Sequence, residues 1–247
     1  MLPAGPVVVP HAEPGLSLLI LPRRSKAEWL AGGFHNYEVE EVACARQWLR
    51  PADTVFDVGA HIGFYATLFS RLAPSGRVVA FEPDPANLEL LRRNLDRNRA
   101  ANVTLVARAV SETSGIRKFA IDGATGSSGT LEFDLAYGSR LEGAAQGFRS
   151  VTTMTLDQAG EEFGAADFVK IDVEGHELPV LRGAGRLLAN ARLRALIVEV
   201  SNDAARPAVF ELLKRHGFTL VDIRSGQERE GIYGSLLAVR QSPGGDG

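Results

Sequence analysis

The sequence predicts an α/β fold built on a doubly wound, mostly parallel sheet. Three observations predict it. From Asp53 onward, short apolar runs alternate with stretches of helical periodicity, the pattern of repeated βαβ units. The first of these runs passes straight into a turn with two glycines and then into a helix. The last two runs have no helix between them and read as an antiparallel hairpin at the sheet's edge.

Each element follows from its local chemistry. The first fifteen residues carry Pro3, Pro6, Pro10 and Pro14, which predicts an irregular lead-in with an edge strand at Leu18 to Leu21. From Glu38 to Leu49 the apolar positions Val39, Val42, Ala43, Ala45 and Leu49 recur at near-helical spacing, and Pro51 stops the helix. Strands are predicted at Thr54 to Val58, Arg77 to Glu82, Val103 to Ala107, Phe168 to Ile171 and Ala195 to Val200. The helices between them run from Phe64 to Ala73, Pro85 to Arg99, Glu177 to Ala189 and Ala205 to His216. Thr219 to Ile223 and Ile232 to Val239 form the closing hairpin. Gly123 to Gly147, rich in Gly, Ser and Ala, breaks the rhythm and reads as a long functional loop, while Ser242 to Gly247 reads as a frayed tail. The expected organisation is an N-terminal arm and lid helix over 1–50, a ligand-binding catalytic domain over 51–240, and a tail over 241–247.

Composition narrows the function. The chain has 247 residues, 45% hydrophobic and 23% charged, which excludes disordered and fibrous classes and suits one large domain. A net charge of −3 gives no basic field for a nucleic-acid backbone. The apolar stretch Leu16 to Leu21 is far shorter than the roughly twenty residues that cross a bilayer, and the basic pair Arg23 and Arg24 follows rather than precedes it. The single cysteine, Cys44, allows no internal disulfide and reads as an apolar filler. Cytoplasmic residence, no membrane and no nucleic-acid partner are therefore expected. Oligomeric state is not legible.

The most informative segment is Val55-Phe56-Asp57-Val58-Gly59-Ala60-His61-Ile62-Gly63-Phe64-Tyr65. Its glycines let backbone approach a ligand at the strand's carboxyl end, although a plain tight turn has the same look. Asp57 stands just before them, where a pyrophosphate would be repelled and a cationic group welcomed. Glu82 closes the next strand in Val78-Val79-Ala80-Phe81-Glu82-Pro83, the position from which an acid accepts hydrogen bonds from ribose hydroxyls, a solvated strand-end acid being the plainer alternative. A ribose, an ammonium-bearing group and no phosphates describe S-adenosylmethionine. Asp57 would face its amino-acid end, Gly59 to Gly63 would pass the methionine part, and Glu82 would clasp the ribose. The adenine is expected near Arg108-Ala109-Val110-Ser111.

A second constellation follows the fourth parallel strand, in Phe168-Val169-Lys170-Ile171-Asp172-Val173-Glu174-Gly175-His176-Glu177. Alternation lets Asp172, Glu174 and His176 share one side until Gly175 bends the chain. Plainer roles exist for each: Glu174 and Glu177 complement a helix N-terminus, Asp172 caps a turn, and His176 is a surface histidine. All three are competent metal ligands, yet nothing fixes their geometry, and no metal is expected.

These runs, Asp57-Val-Gly-Ala-His61-Ile-Gly63-Phe64-Tyr, Phe-Glu82-Pro83 and Val-Lys-Ile-Asp172-Val-Glu174-Gly-His176-Glu177, resemble the FkbM-type family of S-adenosylmethionine-dependent methyltransferases over roughly Tyr37 to Val239. His61 stands where an asparagine is more usual. The resemblance implies a seven-stranded, Rossmann-like class I methyltransferase sheet with a C-terminal antiparallel edge hairpin. It also implies O-methylation of a hydroxyl on a small-molecule acceptor, a sugar or secondary metabolite of natural-product biosynthesis, and a Tyr37-Glu38 pair closing over the methionine end. The cofactor contacts it suggests are Glu38, Asp57, Gly59, Ala60, His61, Gly63, Phe64, Glu82, Pro83, Ala109, Val110 and Asp172.

Methyl transfer from a sulfonium needs acceptor oxygen and methyl carbon held collinear and dry. A neutral alcohol also needs a base, for which His176 is the natural candidate, with Asp172 or Glu174 orienting it or sharing the role. Gly123 to Gly147 and the arm Trp29 to Tyr37, with Trp29, Phe34, His35 and Tyr37, are the expected walls of the acceptor pocket. Transfer to a carboxylate or amide nitrogen is the alternative. A nicotinamide-dependent dehydrogenase is opposed by Asp57 and by the lack of a second mononucleotide half, and a non-catalytic binding role by the three ionisable groups in one crevice.

Overall fold

A computed structural model describes residues 5–22, 25, 27–122, 129–131, 145–228 and 234–240. The five expected parallel strands are present as β3 (Thr54–Val58), β4 (Arg77–Phe81), β5 (Val103–Val106), β9 (Phe168–Ile171) and β10 (Ala195–Val200). They lie in the order β10-β9-β3-β4-β5. Reversal of strand order at β3 creates a crevice beyond the carboxyl ends of β3 and β9, the place where open α/β sheets bind ligands.

The closing hairpin adds β11 (Phe218–Asp222) and β13 (Gly234–Arg240), with the final strand inserted antiparallel between β10 and β11. These make the expected seven strands, and a two-residue β12 (Gln227–Glu228) on the outer edge makes an eighth. The part of the last run before Gly234 lies outside the described residues.

Four elements differ from the sequence expectation. The proline-rich lead-in is a two-stranded hairpin, β1 (Val7–Pro10) with β2 (Ser17–Ile20), because Pro10 sits at a strand end where no ladder donor is lost. The helix expected from Glu177 to Ala189 is two, α6 (Glu177–Arg182) and α7 (Gly185–Ala189). They part at Gly183, where a Cβ would stand 2.3 Å from the carbonyl oxygen of Ser111, so this turn packs backbone on backbone. The described ends of the Gly123–Gly147 segment belong to a small second sheet. Here β7 (Gly115–Asp122) pairs with β8 (Ala145–Met154), β8 pairs with β6 (Ala109–Val110), and Thr130 bridges to Ala120. Finally, α5 (Leu156–Phe163) follows a capping box in which Thr155 and Gln158 each accept from the other's backbone N–H.

Two apolar layers cover the sheet. One face packs Phe56, Val58, Ile171, Val198 and Val200 against α5, α6, α7 and α8 (Arg206–Arg215). The other packs Val55, Phe168 and Ile197 against α1 (Ala27–Gly32), α2 (Val39–Trp48), α3 (Phe64–Leu72) and the N-terminal hairpin. Leu18, Ile20, Trp29 and Phe34 are buried in that second core. Helix α4 (Pro85–Arg97), capped by the Asp84 carboxylate on the Ala86 N–H, packs Leu91 against the N-terminus of α3. No helix among the described residues is long and apolar enough to cross a membrane.

Gly63 shows why the turn before α3 is glycine-rich. Its φ is 94°, and a Cβ there would stand 2.4 Å from Leu91 Cδ1. Gly63→Ala is expected to destabilise the fold by about 1–3 kcal/mol, through the left-handed backbone and the crowded core together. Urea unfolding checks this as a fall in midpoint at unchanged slope.

Candidate functional site

The crevice at the switch point holds a cavity of about 1070 Å³, counting the open solvent at its mouth. Its floor is the turn after β3. The N–H groups of Gly59 and Ala60 both donate to the Phe81 carbonyl at 3.0 Å, tying the turn to the end of β4. Gly59 has φ 85°, and a Cβ on it would stand 1.8 Å from the Asp172 carbonyl oxygen. His61, also left-handed at φ 50°, donates its N–H to Glu82 Oε2 at 2.9 Å.

Glu82 organises the ribose side. Its other oxygen accepts the Asp84 N–H at 2.8 Å, so one buried carboxylate fixes both the glycine turn and the start of α4. Burial pushes its carboxyl up to about 7 despite these donors. Each oxygen keeps lone-pair capacity for a hydroxyl donor.

The opposite side is acidic. Strand β9 places Lys170 next to Asp57 in β3 and next to Ile197 in β10. With a period of two, Asp57, Lys170, Asp172 and Glu199 therefore share one sheet face. Lys170 Nζ lies 2.9 Å from Asp172 Oδ2 and 4.4 Å from the centre of the Tyr65 ring. Burial alone would lower its proton affinity, but the charges of Asp172, Glu38, Asp57 and Glu199 outweigh it and hold the ammonium above the usual lysine value. Glu38, left-handed at φ 47° before α2, accepts the Tyr65 hydroxyl at 2.6 Å. Its carboxyl is raised, chiefly by burial. The neighbouring charge of Asp172, followed by burial, raises Glu199 as well.

His176 closes the far end. Its Nε2 shares a 2.9 Å hydrogen bond with Ser111 Oγ, and burial, with Arg117 adding to it, pulls its imidazole down to about 4. The loop before it turns through Glu174 at φ 54° and Gly175 at φ 100°, and the Gly175 N–H donates to the buried Glu177 carboxylate at 2.8 Å.

The cavity wall thus brings together Glu38, Gly59, Ala60, His61, Phe64, Glu82, Pro83, Ala109, Val110, Asp172, Glu174 and His176 of the residues singled out in the sequence. Asp57 and Gly63 stand behind it. Gly63 packs on α4, and Asp57 is fully buried beside Lys170 with neither carboxylate oxygen hydrogen-bonded. Of the expected acceptor walls, Trp29 and Tyr37 line the cavity, Phe34 is buried in the core behind them, and His35 is exposed. The small sheet contributes Phe119 and Thr130, while positions 123–128 and 132–144 of the expected loop lie outside the described residues. Sequence reasoning missed Lys170 and Glu199. Each is a lone charge inside an otherwise apolar strand, Lys170 two residues before Asp172 and Glu199 one residue before the end of its strand, and that pattern was the available signal. Among the described residues no three His, Cys, Asp or Glu side chains are grouped to hold a metal ion.

The FkbM methyltransferase domain family matches residues 57–220. The 31-O-demethyl-FK506 methyltransferase FkbM of Streptomyces tacrolimicus is 32% identical over 201 residues, 70% of this chain and 75% of that one. The hexuronic acid methyltransferase AglP of Haloferax volcanii is 31% identical over 153 residues, 60% of this chain and 56% of that one. Among solved structures, precorrin-6y C5,15-methyltransferase from Geobacter metallireducens superposes with a TM-score of 0.51 at 16% identity, over 88% of this chain and 93% of that one. A Streptococcus mutans structure in complex with SAH gives 0.50 at 13%, over 81% and 96%. Likeness at such identities concerns the fold.

Asp57 makes stability depend on pH. Burial pushes its carboxyl from 3.8 up to about 7, partly offset by Lys170. Between about pH 4 and pH 7 the folded chain holds a proton that the unfolded chain has lost, so this group's contribution falls as pH rises. Asp57→Asn is expected to gain roughly 2–4 kcal/mol relative to wild type between pH 4 and pH 8. Chemical denaturation of both proteins across that range checks it; a gap that stays constant with pH would remove the buried carboxylate from the account.

Proposed function

The chain belongs to the FkbM methyltransferase family, and on that footing we propose that it transfers a methyl group from S-adenosylmethionine to a hydroxyl of a small molecule, a sugar or a secondary metabolite. One observation carries the cofactor reading. Around the Lys170 ammonium the inner cavity gathers more carboxylates than it can neutralise, and Asp57 beside it has both oxygens unsatisfied, an arrangement that favours a cationic, phosphate-free ligand. The named relatives, a 31-O-demethyl-FK506 methyltransferase and a hexuronic acid methyltransferase, support the substrate class.

The residues present fit the cofactor. Glu82 would accept the ribose hydroxyls, Gly59 to His61 would lie along the methionine part, Ala109 and Val110 against the adenine, and Glu38 and Asp172 near the charged end. Bound S-adenosylmethionine supplies an electrophilic methyl group on a sulfonium. The chain's own part is to hold the acceptor oxygen in line and dry, which Trp29, Tyr37, Phe64 and Phe119 would do by covering the cavity.

His176 would take the acceptor's proton. An imidazole pulled down to about 4 is neutral at pH 7 and so able to accept. An alcohol oxygen becoming alkylated is far more acidic than imidazolium, so a weak base suffices once the bond is forming. That depressed basicity also favours the second reading, an acceptor carboxylate that needs no base.

Two measurements test the proposal. Calorimetric titration is expected to show binding of adenosylhomocysteine and not of NAD, with Glu82→Ala weakening it by about 10–100-fold through loss of the ribose contact and of the turn it fixes. With a hydroxyl acceptor, His176→Ala is expected to keep cofactor affinity and lose about 10²–10⁴ in turnover. Unchanged turnover would transfer the reading to the carboxylate.

A further inference from the structure

The inner end of the cavity carries a charge imbalance that a ribose clasp and a glycine turn leave unexplained. Asp57 from β3, Lys170 and Asp172 from β9, and Glu199 from β10 meet on one sheet face. Glu38 closes over them from the start of α2, and Glu174 faces Glu199 from the loop after β9. Tyr37 and Tyr65 border Glu38, Glu41 faces Tyr65 from α2, and Glu177 faces Asp172 from α6. The cation set against these acids among the described residues is Lys170, already engaged with Asp172 at 2.9 Å. Asp57 stands beside Lys170 on the adjacent strand, just behind the cavity wall, fully buried and with neither carboxylate oxygen hydrogen-bonded.

We propose that this acidic inner end senses the charge of the cofactor's sulfur, holding the cationic sulfonium in preference to the neutral thioether and releasing protons as it does so. The inference rests on the cofactor reading above and deepens it. S-adenosylmethionine and adenosylhomocysteine share adenine, ribose and amino-acid end, so the contacts of Glu82 and the glycine turn do not tell them apart. A positive charge brought within about 4–6 Å of crowded carboxyls favours their ionised form. The group most affected is Glu199, which borders the cavity and is raised by the charge of Asp172 and by burial. Asp57 and Glu38, also held above the ordinary range, share the response. A ligand that makes an acid ionise binds more tightly as pH rises, by up to about tenfold per pH unit for each proton released. The thioether brings the same amino-acid ammonium but no second positive charge, so it ionises fewer of these acids.

The test uses the full chain and both ligands. Calorimetric titrations at about pH 6 and about pH 8.5, each in two buffers of different ionisation enthalpy, give the affinity and the protons released. The ratio of thioether to sulfonium dissociation constants is expected to rise by about tenfold across that interval, with on the order of one more proton released by the sulfonium. Equal proton release and a constant ratio, with both ligands binding, would overturn the inference and leave the cofactor reading standing. Failure of both ligands to bind would overturn that reading itself. Glu199→Gln is expected to cut the pH dependence of the ratio to about threefold or less, with thioether binding reporting that the variant is folded. A variant that binds the thioether and keeps the full wild-type dependence overturns the assignment to this cluster.

Discussion

The contact on which the site depends is between two pieces of backbone. Residue 59 can only be glycine because the Asp172 carbonyl oxygen occupies the space of its Cβ. The turn after β3 and the end of β9 are consequently one unit, and the Phe81 carbonyl, accepting from Gly59 and Ala60, adds the end of β4 to it. Three strand ends are thereby held at fixed separation, as a cavity needs if its acids are to meet a ligand without rearranging. Glycine usage here is explained by packing within the protein before any ligand is considered.

Electrostatics then divides the cavity. On one side Glu82 is satisfied by backbone N–H groups and acts as a structural acceptor as well as a binding one. On the other, carboxylates crowd around Lys170 with too few donors among them. Glu82 and Glu199 are both raised, but for different reasons: Glu82 by desolvation against good hydrogen bonds, Glu199 by the charge of a neighbouring acid first. The first environment suits neutral hydroxyl donors, the second a cation.

Much of this was legible in the sequence. Parallel strands announce themselves as apolar runs because both faces are covered, and Thr54–Val58, Phe168–Ile171 and Ala195–Val200 fall where they were expected. Glu82 and the Asp172 to His176 run were found because chemistry at strand ends is written in short contiguous segments. Lys170 and Glu199 were overlooked because, Asp172 two positions after Lys170 aside, the charges they meet lie on other elements, and only register brings Asp57 beside Lys170. The reverse error befell Gly63, whose neighbour Leu91 is distant in sequence, so a packing residue looked like a ligand contact. The second sheet was hidden because β7 and β8 pair across the Gly- and Ser-rich segment, and the capping box at Thr155 and Gln158 before α5 went unread.

The ring of His11, in the turn of the N-terminal hairpin, joins that hairpin to the wall of the site. His11 stacks on Phe64 at 4.3 Å, donates from Nε2 to the Phe64 carbonyl at 3.0 Å, and accepts the Glu13 N–H at Nδ1, which defines a neutral tautomer. Phe64 is the first residue of α3 and part of the cavity wall. Anyone trimming the leading dozen residues, or fusing a bulky reporter against them, would be editing the wall of the cavity from 53 positions away.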